Sequence, residues 1–147
     1  MSRNSLLMCC GVTVVLAAST AAMAAAKSEI KGAAILDHPC GKVAVKQMGL
    51  VHDGKMEEAN KLTTAEMQGQ WKAMPAKDRA MMSEMMKATS STEQQFANDI
   101  KANGVLVSDG QTATLTVQKT TKDKNGTSTS TMTQNFRVDG GQCLVTH

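Results

Sequence analysis

At Gly104 the apolar residues of this chain change their period. Beyond it, Val105 and Val107, then Ala113, Leu115 and Val117, then Met132, Phe136 and Val138, then Cys143 and Val145 recur at even spacing. Period two belongs to strands with one buried face, because successive side chains of an extended chain point to opposite sides. Before Gly104 the spacing is helical. Helices followed by strands, rather than alternating with them, predict the α+β class, with N-terminal helices packed on one face of an antiparallel sheet. Asp109-Gly110, Asn125-Gly126 and Asp139-Gly140-Gly141 separate the apolar runs, and Asn-Gly is a strong signal for a tight hairpin. The expected sheet is a four-stranded meander whose outer face carries Thr, Ser, Gln and Lys.

The helical half is punctuated in the same legible way. Pro39 suits a helix first turn, where its missing N–H costs nothing. Val43, Val45, Met48, Leu50 and Val51 predict a helix over 40–51, and Asp53-Gly54 ends it, with His52 as a capping residue at its end. A short helix over 56–62 follows. Thr63 and Glu66 have the spacing of a capping box for a third helix, which presents Met67 and Trp71 on one face and stops before Pro75. A fourth helix spans 76–87. Ser91 and Gln94 repeat the capping spacing before Phe96 and Ile100, which anchor a last helix.

Ahead of these elements lies a leader. Arg3 precedes the apolar run Leu6 to Ala18, and small residues follow through Ala22-Met23-Ala24-Ala25-Ala26. A positive head, an apolar segment and small residues at the cut site are the layout of a cleavable secretory signal. The run is broken by Ser19 and Thr20 and is shorter than the roughly 20 apolar residues a spanning helix needs. Cys9 and Cys10 stand too early to be the acylated cysteine of a lipoprotein. Residues 1–26 are therefore read as the signal, cut after Ala24 or Ala26, and 27–147 as a single domain working in the periplasm or outside the cell.

Two cysteines survive that cut, Cys40 and Cys143. In an oxidising compartment the pair is expected to be joined, two free thiols being the alternative. Strand parity puts Cys143 on the same face as Val145, towards the helices. A Cys₂His₂ metal set with His38 and His147 fails on reach, since four residues of strand separate Cys143 from His147 by about 13 Å.

Removing Arg3 from the 16 Lys and Arg leaves 15 against 13 Asp and Glu, a balance too even to argue for nucleic acid or an anionic membrane. No Gly-x-Ser-x-Gly elbow, phosphate loop or His-Glu-x-x-His occurs. Glu66, Glu84, Glu93 and Asp99 fall in helices and Asp109 in a turn, and no spacing directs two of them at a shared pocket. Asn125-Gly126-Thr127 matches a glycosylation acceptor but is better explained by the hairpin.

The order of parts resembles the nuclear transport factor 2-like superfamily. The resemblance rests on the long first helix, on the step Leu50-Val51-His52-Asp53-Gly54-Lys55-Met56-Glu57-Glu58-Ala59, and on the final Asp139-Gly140-Gly141-Gln142-Cys143-Leu144-Val145. Relatives usually carry tryptophan where Cys143 stands. The resemblance implies a cone-shaped body with a pocket between helices and a curved sheet, and no particular chemistry. Its isomerase members use an acidic base with a tyrosine or a protonated acid, and this chain has no tyrosine.

Aromatic residues are few, Trp71, Phe96 and Phe136 alone, so methionine must fill volume. Met81, Met82, Met85 and Met86 crowd one helix. Methionine adapts to irregular gaps, so pocket or core lining is the first reading. An exposed partner surface is the second, and a Cu(I) site on those four thioethers is the third. The expectation is a non-catalytic exported binding module without a cofactor. Its pocket would be lined by Met48, Trp71, Met82, Met85, Phe96, Leu115, Gln134 and Phe136, and would hold a small apolar ligand or a protein partner. Self-association as a homodimer is left open. An isomerase or dehydratase of the same fold, or a periplasmic immunity or inhibitor protein, are the alternatives.

Overall fold

A computed structural model describes residues 26–124 and 126–147. The proposed signal, with Cys9 and Cys10, and Asn125 of the hairpin dipeptide lie outside the described residues. Strand β1 (Ser28–Lys31) leads through a 3-10 helix (Gly32–Asp37) into α1 (Pro39–His52), α2 (Met56–Asn60), α3 (Ala65–Ala73), α4 (Ala76–Thr89) and α5 (Glu93–Asn103). Strands β2 (Gly104–Ser108), β3 (Thr112–Asp123), β4 (Gly126–Asp139) and β5 (Gln142–Thr146) complete the chain. The class is α+β, and the sheet is an antiparallel meander in the order β1-β2-β3-β4-β5. It has five strands where four were expected. No helix among the described residues is long and apolar enough to cross a membrane.

The extra strand, β1, pairs Ile30 with Leu106. Four residues with a single apolar member carry no readable period, and β1 is held by backbone hydrogen bonds to β2 rather than by its own pattern. Leu106 also corrects the facing of β2. The run Val105-Leu106-Val107 permits either parity; Leu106 lies opposite Leu115 and is buried, while Val105 and Val107 stand opposite Thr116 and Thr114, half-buried on the other face.

The core lies between α1, α5 and the inner sheet face. Ile35, Ala44, Phe96 and Ile100 meet Leu106, Ala113, Leu115, Val117, Phe136 and Val145 there. Cys40, in the first turn of α1, is bonded to Cys143 of β5, with Cα atoms 5.0 Å apart. His38 caps that helix, its Nδ1 accepting from the Cys40 N–H at 3.2 Å. Its neighbours are thus two sulfurs already spent in a disulfide, which leaves no thiolate for a metal.

Of the two capping boxes read from the sequence, the one at α3 does not form and the one at α5 shifts by one residue. α3 begins after Thr64, whose side chain makes no capping bond. Thr63 instead donates from Oγ1 to the Asn60 carbonyl, and Thr64 N–H donates to Val145 O of β5 at 2.9 Å. Attachment to a distant strand outweighs the local cap. At α5 the box is Thr92 with Gln95, each side chain accepting from the other's N–H. In the β2–β3 turn Asp109 accepts from the Gln111 and Thr112 N–H groups and the Thr112 hydroxyl, which holds its carboxyl below the ordinary range.

Gly54 ends α1 with a φ of +74°, the left-handed conformation expected of it. Gly41 is a different case, since a Cβ there would overlap the Ile35 carbonyl. Gly41→Ala is therefore expected to lower stability by about 1–3 kcal/mol. Gly69, exposed in α3 with open space of at least 4 Å around the position a Cβ would take, gives the opposite sign, a gain of roughly 0.5–1 kcal/mol on Gly69→Ala. Urea midpoints of the two variants check both; a Gly41→Ala protein as stable as the parent would contradict the tight packing of α1 on the 3-10 helix.

Candidate functional site

The second apolar cluster lies apart from the main core, where Leu50 and Val51 of α1 meet Met56 and Ala59 of α2, with Leu62 and Trp71 against them. The chain from α2 to α3 is pinned to the sheet. Val145 N–H donates to Leu62 O at 2.9 Å, and Thr63 forms a parallel bridge with Val145. This anchor sets α3 at the β5 end of the sheet.

From there α3 carries Met67 and Trp71 at i, i+4, with Met74 three residues further at its C-terminal cap. Residues at that spacing share a stripe. Across from it, α4 offers Met82 and Met86, again at i, i+4. Together with Met56 these residues wall a chamber of about 360 Å³, completed by Gln47 and Val51 of α1 and by His147. A second chamber of about 350 Å³ continues over the sheet between Met48, Met132, Gln134 and Val145. Gln47, Val51, Met67 and Met86 belong to both, so the two form one hollow. A third depression of about 290 Å³ adjoins at Met48 and Met132, with Asp99 and Lys119 at its rim.

Several of the polar groups around the hollow are held in specific contacts. Trp71 Nε1 donates to Glu57 Oε1 at 3.1 Å, and Arg79 stands 4.0 Å from the same oxygen, so one carboxylate ties α2 to α3 and α4. His147 Nε2 lies 3.0 Å from Gln70 Oε1. Gln134, inward as its strand parity requires, donates from Nε2 to Gln47 Oε1. Its Oε1 is buried with no hydrogen-bond partner among the described residues. His52 sits at the end of α1, its Nδ1 likewise buried without a partner among them.

The residues expected to line a pocket are distributed as follows. Met48, Trp71, Met82 and Gln134 are at the hollow, and Phe96 reaches the third depression from the core. Leu115 and Phe136 are sealed in the main core at 0% exposure. Met85 points outward, 61% exposed, beside Met81 at 70%. The four methionines of α4 are thereby divided, Met82 and Met86 facing the hollow and Met81 and Met85 facing solvent, so they do not form one donor set. Met56, Met67, Met74, Gln47 and His147 were not among the expected residues. The i, i+4 stripe of Met67 and Trp71, with Met74 close behind it, was the available signal for two of them; nothing local marked His147. Comparison of the chain with protein-family models, with curated proteins and with solved structures finds no match.

Proposed function

We propose that this chain is a non-catalytic exported binding module of the nuclear transport factor 2-like kind, whose hollow takes a small apolar ligand. One observation carries the reading. Thioether, indole and aliphatic groups make up most of the first chamber's wall, the second adds the neutral polar side chains Thr89, Ser90, Thr133 and Gln134, and among the described residues no Asp, Glu, Lys or Arg side chain lines either. Such walls stabilise an apolar molecule by about 25 cal/mol for each Å² it withdraws from water. The Gln47–Gln134 pair adds the small polar element that orients a ligand in an otherwise apolar pocket.

An isomerase or dehydratase of this fold needs a carboxylate base within the pocket. Glu66, Glu84 and Glu93 are exposed, and Asp99 is at the third depression, where Lys119 stands 4.0 Å away. Export is supported by the Cys40–Cys143 bridge, a bond that persists in oxidising compartments.

The test is binding of an apolar fluorescent probe such as N-phenylnaphthylamine. Met86 belongs to both chambers yet is 37% exposed, so Met86→Glu places a charge in the wall at little risk to folding. It should weaken probe binding by at least ~1.4 kcal/mol, roughly tenfold in Kd. Met81→Glu, on the outer face, should leave it unchanged. A parent that does not bind the probe, or two variants that bind it equally well, would remove the proposal.

A further inference from the structure

The chamber between α3 and α4 has a donor chemistry that an apolar ligand does not use. Met67, Met74, Met82 and Met86 bring thioethers to it from two facing helical segments, and His147 adds an imidazole. We propose that this chamber is a Cu(I) site, with sulfur donors drawn from those four methionines, nitrogen from His147 and the Trp71 indole as a cation–π cover. The inference goes beyond apolar-ligand binding and does not require it.

Three observations point to this ion rather than another. The first is softness: thioethers and imidazole favour Cu(I), and the flexible methionine side chain lets sulfurs from facing stripes converge. With Cys40 and Cys143 bonded to each other, thioethers are the soft donors that the described residues retain. The second is charge. No carboxylate among the described residues lines the chamber, so Mg²⁺ and Ca²⁺ find none of the oxygen ligands they require, and a lone imidazole falls short of a zinc set. A monovalent ion is the one that neutral donors can hold without a buried counter-charge.

The third is the setting of His147. Its Nε2 lies 3.0 Å from Gln70 Oε1, which only accepts. An Nε2–H donated to that oxygen leaves Nδ1 as the ring nitrogen available to the ion. A ligating histidine that donates its other N–H to a fixed acceptor is the usual outer-shell arrangement at metal sites. Gln70 lines the same chamber. The single tryptophan of the chain stands in the wall as well, within the set that would surround the ion.

That tryptophan supplies the readout. The disulfide-intact protein is titrated anaerobically with Cu(I) buffered by bicinchoninate, following Trp71 emission. Saturable quenching is expected. Met82→Leu with Met86→Leu keeps the wall apolar and removes two sulfurs, and should weaken the ion by roughly tenfold or more, as should Gln70→Ala through His147. Met81→Leu with Met85→Leu should change nothing. Absence of quenching in competition with the chelator, or equal losses from the inner and outer pairs, would overturn the site. The leucine variants preserve apolar surface, so their binding of phenylnaphthylamine reports on the apolar-ligand reading separately. Probe binding without quenching sinks the copper site alone, and quenching without probe binding sinks only the other.

Discussion

Replacing Cys40 and Cys143 with alanine is expected to lower the stability of the folded chain by about 3–4 kcal/mol. The bridge spans 103 residues, nearly the whole of the described chain, and joins the first turn of the main helix to the last strand. Closing a loop of about 100 residues removes up to ~4.7 kcal/mol of denatured-state entropy in the chain model, and native bridges commonly deliver somewhat less. Both cysteines are buried, so the alanine pair also leaves two sulfur-sized gaps where α1 meets β5. Urea unfolding of parent and double variant, followed by circular dichroism, measures the difference. A loss under ~1 kcal/mol would show that the denatured chain is already compact enough for the cross-link to be redundant.

Phe136→Ala is expected to cost a similar amount, about 3–5 kcal/mol. The ring is at 0% exposure towards the C-terminal end of β4, with Ala113 opposite it on β3 and Val145 on β5. Alanine at 113 makes room that the phenyl fills, and a second alanine would leave that space without an occupant. The sequence holds only two phenylalanines and no tyrosine, so few large side chains are at hand to relax into the gap. Phe136→Leu, which keeps most of the volume, should lose under about 1.5 kcal/mol. Equal losses for the two variants would mean that the site collapses around whatever stands there.

What could be read from the residues was set by how local its cause is. The bridge was legible because strand parity alone puts Cys143 on the face of Val145, and an isolated pair in a chain read as exported has few alternatives. The boundary between α3 and α4 was legible because Pro75 interrupts a helical pattern. β1 was not, because Ile30 is its only apolar member and its partner Leu106 lies in a distant strand. The Thr63 cap was misplaced for the same reason, its neighbour Val145 belonging to the far end of the chain. At the hollow, Met48 and Trp71 followed from helical spacing and Gln134 from strand parity. His147 meets Gln70 only after the sheet and α3 have been brought together, and no short-range pattern encodes that encounter. Met81 and Met85 share a helix with Met82 and Met86, and composition could not say which pair would turn inward.

α3 and α4 contain no fully buried residue, although they form one whole side of the hollow. Beyond the backbone pins of Leu62, Thr63 and Thr64 to Val145, their side-chain attachment consists of methionine contacts, one shared carboxylate and the Gln70–His147 hydrogen bond. With no buried residue of its own, this span is expected to open locally at lower free energy than the sheet, α1 and α5, which hydrogen exchange would report as weaker protection. For the ligand proposed above, entry would then need no permanent doorway, the wall being the least anchored side of the hollow.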